Sequence, residues 1–240
     1  MQLPFIDLLN GIFSLIGLII AIIIGLKLIS KYFRYKRRDL FLIGLVFILL
    51  PEPWWPSNIL FLSLIITGYY LKLEIILLIG NIFLPITTLL WLIVFNDLLD
   101  YKRKKEIYGI FIVQGILFEI FLFYYLFTNP SIIGEISGNV DVNYGLFASL
   151  YHLTILIVAI ITGTLFAREC WKSNDPKTRL KGKLIFAAVY SFVVGSILDI
   201  LSASSIILLT LARIILILAS IELYGGFILP NWMQKIFLKG

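Results

Sequence analysis

The chain has 240 residues, of which 60% are hydrophobic and 14% are charged, and its mean hydropathy is +1.02. Soluble domains carry roughly 25% charged residues, so the composition excludes a soluble protein and predicts one integral membrane domain over 1–240, in the cell membrane. The net charge of +6 follows membrane sidedness and does not indicate a nucleic-acid surface, and a single cysteine excludes an intramolecular disulfide.

Apolar segments of about 20 residues, the length that crosses a bilayer as a helix, follow one another along the chain. Six are clear, at 8–30, 75–97, 107–128, 144–167, 184–202 and 206–228. Residues 40–72 form a further apolar region that is too long for one straight span. This region contains the stretch PEPWWPSN at 51–58, and the number of times it crosses the membrane decides the topology.

The distribution of basic residues resolves the count. Lys and Arg cluster in four places, at 27–38, 102–105, 168–183 and 235–239. If 40–72 crosses once, all four clusters, which hold 18 of the 20 Lys and Arg residues, lie on one side of the membrane. The positive-inside rule therefore predicts an all-α fold of seven transmembrane helices, with the N-terminus outside and the C-terminus in the cytoplasm.

The surplus length in 40–72 needs a second element. Three prolines at 51, 53 and 56 lack amide donors and disfavour helix at the preceding residues, which predicts an extended turn over 51–56 at the outer interface. Ser57 or Asn58 can then N-cap a short helix at about 58–69. We expect this helix not to cross the membrane, and to be either re-entrant or laid along the outer surface.

Other local signals mark the remaining segments. Pro85 predicts a kink in the third span near Asn81. Residues 129–143 form the longest outer loop, and Asp175 followed by Pro176 predicts a helix start on the cytoplasmic side. After Pro230, NWMQKIFLKG predicts a short interfacial helix with one apolar face, Trp232, Met233, Ile236 and Phe237. Its Lys235 and Lys239 would contact anionic headgroups.

Charged groups inside a bilayer are costly, so each one is a candidate functional residue. Asp199 and Arg213 lie at similar depth in two consecutive antiparallel spans, and we expect them to form an ion pair. Glu119 and Glu222 are two further intramembrane carboxylates. His152 is the only histidine, and the open interpretations are a hydrogen bond inside the bundle, a pH sensor or a ligand contact.

The two tryptophans of PEPWWPSN also have two interpretations. Trp54 and Trp55 would either anchor the chain at the membrane interface or form an aromatic wall for an extracellular ligand. The sequence contains no HExxH, no GxSxG and no glycine-rich phosphate loop, and no span carries three metal ligands. We therefore expect neither an enzyme nor a metal site.

Two resemblances add expectations. The words PEPWWPSNILFLSLIITG, IGNIFLPITTLLWLIVFNDLL and FARECWKSNDPKTRLKGK resemble uncharacterised archaeal membrane proteins, particularly those of the Asgard group, which implies membrane residence only. The end ILPNWMQKIF resembles the exit from seven-helix sensor input modules of signalling proteins, which implies a cytoplasmic partner. Microbial rhodopsins hold retinal on a lysine in their last span, and 206–228 contains none, so no retinal or other cofactor is expected.

The sequence thus favours a sensor or receptor-like protein with an outer pocket for a small molecule or lipid and a cytoplasmic signalling partner. The pocket residues that we predict are Trp54, Trp55, Asn81, Tyr144, His152, Asp199 and Arg213. One alternative is a transporter or channel that uses Glu119 and Glu222. Another is a lipid-binding or structural membrane protein.

Overall fold

A computed structural model describes residues 3–202 and 205–238. Within them lie ten α-helices: α1 (Phe5–Tyr35), α2 (Arg38–Leu49), α3 (Trp55–Thr67), α4 (Leu73–Ile79), α5 (Leu84–Leu98), α6 (Lys104–Thr128), α7 (Leu146–Trp171), α8 (Pro176–Ile200), α9 (Ile206–Ile228) and α10 (Asn231–Phe237). Two short 3-10 turns, Glu52–Trp54 and Pro130–Ile132, and two strands, β1 (Gly134–Ser137) and β2 (Asp141–Tyr144), complete the described elements.

Seven segments in the described part of the chain are long and apolar enough to cross a membrane, as predicted, so this is a multi-pass membrane protein. α2 and α3 together make the second segment, and α4 and α5 together make the third. Five segments are single helices. α8 begins at Pro176, as the sequence predicts, because Asp175 caps it by accepting the backbone N–H groups of Lys177 and Thr178.

The extended turn predicted for 51–56 is wrong. Pro51 has φ −76° and ψ 10°, Glu52–Trp54 form a 3-10 turn, and α3 begins directly at Trp55. Pro56 lies in the first turn of α3, where a backbone N–H has no helical partner and its loss costs nothing. The prolines therefore mark a helix junction and do not interrupt the helical path.

Packing against α1 shows that α3 continues in the direction of α2. A Cβ added to Gly25 of α1 would lie 2.7 Å from the carbonyl oxygen of Gly44, and one added to Gly11 would overlap the ring of Phe61. The chain from Gly25 back to Gly11 on α1 therefore runs beside the chain from Gly44 forward to Phe61 on α2 and α3. The two stretches have a similar helical length. The helix predicted for 58–69 is thus neither re-entrant nor laid along the outer surface, but forms the second half of the second membrane segment.

The third segment has the interruption that the sequence predicts. α4 ends at Ile79 and α5 begins at Leu84, with Pro85 in its first turn. Because Pro85 has no N–H, the carbonyl of Asn81 lacks the usual donor four residues later. The four residues between the helices therefore form a turn inside the bundle.

The loop predicted for 129–143 contains an element that the sequence did not indicate. β1 and β2 pair in antiparallel register, with Gly134 opposite Tyr144 and Ser137 opposite Asp141. Val140, at the tip of this hairpin, is fully buried in a cluster with Phe61 of α3. The hairpin folds back over one end of the bundle and closes it.

The largest core lies in the other half of the bundle. Trp91 stacks on Phe95 with ring centroids 4.5 Å apart, and Phe95 meets the edges of Phe166 and Phe227. Where α9 approaches α8 closely, Gly226 leaves no room for a side chain against Ile185. Small residues at such contacts let membrane helices pack backbone against backbone.

The short C-terminal helix predicted after Pro230 is present as α10. Met233 is buried against Leu180 and Leu184 of α8, whereas Trp232, Ile236 and Phe237 are exposed. Met233 therefore docks α10 on α8, while the other three apolar residues remain available to the membrane. Lys239, predicted to contact headgroups, lies outside the described residues.

Candidate functional site

The predicted ion pair joins the end of α8 to the beginning of α9. Asp199 Oδ1 lies 3.2 Å from Arg213 Nη2, an ion-pair contact without hydrogen-bond geometry. Only 4% of the Arg213 side chain is exposed, and a buried charge is costly unless another group compensates it. Asp199 supplies that compensation from the neighbouring helix.

Two further side chains complete a polar network, the name used here for Asn10, Trp54, Asp199 and Arg213. Trp54 Nε1 donates a 2.6 Å hydrogen bond to Asp199 Oδ2, and Arg213 Nη2 donates a 2.7 Å hydrogen bond to Asn10 Oδ1. The network therefore ties together α1, the 3-10 turn before α3, α8 and α9.

The β-hairpin adds a second carboxyl group beside this network. Ser57 Oγ and the backbone N–H of Val142 donate to Asp141 Oδ1 at 3.0 and 2.9 Å. Burial and the nearby Asp199 raise the pKa of Asp141 above its ordinary value, and Arg213 only partly opposes this shift. The Asp141 carboxyl is therefore easier to protonate than a free aspartate.

The tip of the hairpin is fastened to α1 by a second set of bonds. Asn139 Nδ2 donates to Asp7 Oδ2 at 2.5 Å, and Tyr70 Oη donates to Asn139 Oδ1 at 2.6 Å. Gly138 adopts a φ of +61° at the turn, close to the Asp7 carboxylate. These contacts hold the hairpin over the polar network.

A cavity of about 90 Å³, here called the central cavity, lies between α1, α2, α5, α7, α8 and α9. This is several times the roughly 10–15 Å³ that one water requires. Its walls are predominantly apolar. The polar side chains that reach it are Ser14, Trp54, Thr87, Thr88, Arg213 and Ser220. The cavity is therefore suited to an apolar occupant, with the polar network at one end.

The other predicted pocket residues do not line this cavity. Tyr144 Oη donates to the carbonyl of Pro53 at 2.8 Å, and the ring of His152 meets the Tyr144 ring at 4.7 Å. Burial raises the pKa of Tyr144 well above its ordinary value. His152 Nε2 is buried and has no hydrogen-bond partner among the described residues. Tyr144 and His152 thus pack behind the cavity wall.

Trp55 and Asn81 belong to the interruption between α4 and α5. Trp55 packs against Phe83 with ring centroids 6.0 Å apart, and Asn81 Nδ2 donates to the carbonyl of Leu77 at 2.7 Å. Glu52, which is fully buried, accepts the backbone N–H of Phe83 at 2.6 Å. This carboxylate satisfies a donor at the beginning of α5 in the manner of a helix cap.

The seven predicted pocket residues therefore fall into two groups. Trp54 and Arg213 line the central cavity and both contact Asp199 beside it, whereas Trp55, Asn81, Tyr144 and His152 do not line it. The structure thus does not bring all seven residues to one cavity, and a ligand site built from them stays a prediction.

The two carboxylates of the transport alternative do not line the cavity either. Glu119 is half-buried on α6, and Glu222 is half-buried on α9. Nine residues separate Arg213 from Glu222, which places them on opposite faces of α9, and only Arg213 reaches the cavity. No described cavity therefore connects the two glutamates.

Sequence reasoning missed the polar stripe on α1 and the buried Glu52. Asp7, Asn10 and Ser14 are all buried and recur at spacings of three and four residues, which places them on one helix face. That spacing could have revealed the stripe. Glu52 had a signal as well, because a carboxylate in an apolar region is itself a candidate.

Among the described residues, no group of three or more His, Cys, Asp or Glu side chains could hold a metal ion. Comparison with known proteins gives no match: no family model fits the sequence, and no curated protein and no solved structure is similar to it.

Proposed function

We propose that this protein is a sensor or receptor-like protein of the cell membrane, with its N-terminus outside and its C-terminus in the cytoplasm. The central cavity would bind a small molecule or lipid. The basic cytoplasmic loops would contact anionic headgroups and a signalling partner, in keeping with the resemblance to seven-helix input modules.

One observation carries this proposal: the cavity and the polar network share two side chains. Trp54 and Arg213 both line the cavity and both contact Asp199. An occupant that moves either side chain therefore acts on Asp199, which links α8 to α9. These two helices extend to the opposite end of the bundle, where α10 follows α9.

The alternatives have less support. Transport through Glu119 and Glu222 lacks a supporting contact, because neither carboxylate lines the cavity. A lipid-binding or structural role would use the same cavity without a conformational response, so the experiment must measure both binding and movement.

The test begins with a variant that blocks the cavity. Gly17 lines the cavity, and a Cβ added there would have only Ile217 Cγ1 nearby, at 4.0 Å. Gly17→Leu should therefore fill the cavity without a backbone clash. Gly109→Leu is the matched control, because Gly109 lies on exposed α6 and an added Cβ would meet no atom within 4 Å.

Binding is measured by thermal unfolding in nanodiscs with a panel of small apolar compounds, since a ligand at 100 times its Kd stabilises a protein by about 2.7 kcal/mol. Movement is measured by spin labels at Lys177→Cys and Trp232→Cys in a Cys170→Ala background, at exposed positions at the beginning of α8 and on α10, which follows α9. We expect a stabilising compound to shift the label distance in the wild type and Gly109→Leu, but not in Gly17→Leu. Binding without a distance change would favour the lipid-binding or structural role.

A further inference from the structure

Two unpaired polar atoms on side chains that line the central cavity indicate the chemistry of its occupant. Ser14 Oγ and Arg213 Nε are both buried and have no hydrogen-bond partner among the described residues, and both side chains line the cavity. Their residues are only 4% exposed. A buried donor without a partner is destabilising, so an occupant that supplies an acceptor binds more tightly than one without.

Both atoms belong to the end of the cavity at the polar network. Ser14 lies one helical turn after Asn10, and Asn10 accepts the hydrogen bond of Arg213 Nη2. Arg213 Nε–H is a donor and the Ser14 hydroxyl can also donate. Arg213 Nε and Ser14 Oγ are therefore the donors available to an acceptor oxygen at this end, while the rest of the occupant contacts apolar walls.

The charges around Arg213 decide against an acidic occupant. Asp199 already lies 3.2 Å from Arg213 Nη2, and the Asp141 carboxyl is close enough to interact with both. A third carboxylate would meet a cation that is already compensated, in an apolar site where an unpaired charge is costly. A neutral acceptor, such as a carbonyl or ether oxygen, adds no charge.

We infer that the central cavity selects a small, neutral, apolar molecule with one acceptor oxygen, which Arg213 Nε and Ser14 Oγ bind. This inference rests on the proposed function, because it specifies the ligand of the same cavity. Thr88 and Ser220 also reach the cavity, but their hydroxyls already donate to the carbonyls of Leu84 and Leu216. They therefore offer no free donor.

The test compares three compounds with six carbons: hexan-2-one, hexane and hexanoate. Their apparent affinities are measured from thermal unfolding of the full chain in nanodiscs at neutral pH. Each compound also partitions into the lipid, so every shift is compared with that of Gly17→Leu, whose cavity is filled. We expect hexan-2-one to bind the wild type about five- to thirtyfold more tightly than hexane, the factor for one or two net hydrogen bonds, and hexanoate to bind more weakly than hexan-2-one.

Ser14→Ala should remove most of the preference for hexan-2-one and leave hexane binding unchanged. Ser220→Ala is the matched control, since it removes a cavity hydroxyl that is already paired, and it should keep the preference. If Ser14→Ala fails to fold, Ser14→Gly and Ser14→Cys provide the same comparison, because neither restores a good hydroxyl donor.

The outcomes separate the two proposals. If no compound shifts the wild type more than Gly17→Leu, nothing enters the cavity and the proposed function fails as well. If hexane and hexan-2-one bind equally, the cavity binds apolar molecules but the inference about the acceptor is wrong, as expected if ordered water occupies the polar end. If hexanoate binds more tightly than hexan-2-one, the inference that the occupant is neutral is wrong.

Discussion

The two halves of the bundle are held together by different forces. In the half that contains Trp91 and Phe95, aromatic stacking and close glycine contacts fill the space between helices. In the half that contains Asp199 and Arg213, an ion pair joins the consecutive helices α8 and α9, and hydrogen bonds tie them to α1 and to the 3-10 turn before α3. The first half could recognise an occupant only by its shape, whereas the second half contains hydrogen-bond donors without a partner among the described residues.

This difference explains where recognition can occur. A packed apolar region has no preference for the chemistry of an occupant beyond its volume. A buried polar network is costly unless every member is satisfied, and an unsatisfied member favours a specific partner. The central cavity extends into both halves of the bundle. Ser14 and Arg213 lie at its polar end, and Trp91 and Leu223 belong to its apolar lining.

The largest expected effect comes from breaking the ion pair. Asp199→Asn removes the charge that compensates the buried Arg213 but retains an acceptor for Trp54. Removing one partner of a buried pair costs about 3–5 kcal/mol, so the free energy of unfolding in detergent should fall by that amount. Denaturation followed by tryptophan fluorescence measures the change.

The control for this prediction is the double variant Asp199→Asn with Arg213→Gln, which leaves no uncompensated charge. It should recover most of the lost stability. If Asp199→Asn is as stable as the wild type, or if the double variant is no better, the polar half does not depend on this pair.

A smaller effect is expected from the apolar half. A Cβ on Gly44 would lie 2.8 Å from the carbonyl of Gly25 and 2.7 Å from Ile29 Cγ1, so Gly44→Ala must separate α1 from α2. Overpacking of this kind costs about 1–3 kcal/mol, measured as a lower free energy of unfolding. Gly109→Ala meets no atom and should be neutral or stabilising, since alanine is the better helix former. Equal losses in both variants would contradict the close α1–α2 contact.

The smallest effect concerns the pH dependence of stability through Asp141. Its pKa is raised in the folded state, so it contributes stability below its ordinary pKa of 3.8 that is lost as pH rises through the raised value. Asp141→Asn keeps an acceptor for Ser57 and removes this loss of stability. The free energy of unfolding should therefore depend less on pH above about pH 3.8. Unfolding curves across a pH series measure the slope.

Asp175 is the control of opposite sign. Its hydrogen bonds from Thr178 lower its pKa, so its contribution is present above 3.8 and is lost as pH falls through the lowered value. Asp175→Asn should therefore change the slope only at the acidic end. If Asp141→Asn also acts only there, Asp141 is not held in the environment described.

Much of the fold could be predicted from the sequence because it depends on local properties. A bilayer requires about 20 consecutive apolar residues for each helix, so the number of segments follows from composition. The ion pair was also predictable, since Asp199 and Arg213 flank one short connection and antiparallel helices bring them to the same depth. Pro85 predicted the break between α4 and α5, because a proline has no backbone N–H to donate within a helix.

The remaining features depend on contacts between distant parts of the chain. The sequence by itself determined the membrane class, the seven segments and the ion pair, since each follows from short-range spacing. Only the tertiary structure decided that the chain after PEPWW continues along α1 as α3, because Gly11 leaves room for the ring of Phe61 there. It also decided that the hairpin closes the polar end and that Ser14 shares a cavity with Arg213. Helix rotation and strand pairing are set by packing between distant segments, which no local pattern specifies.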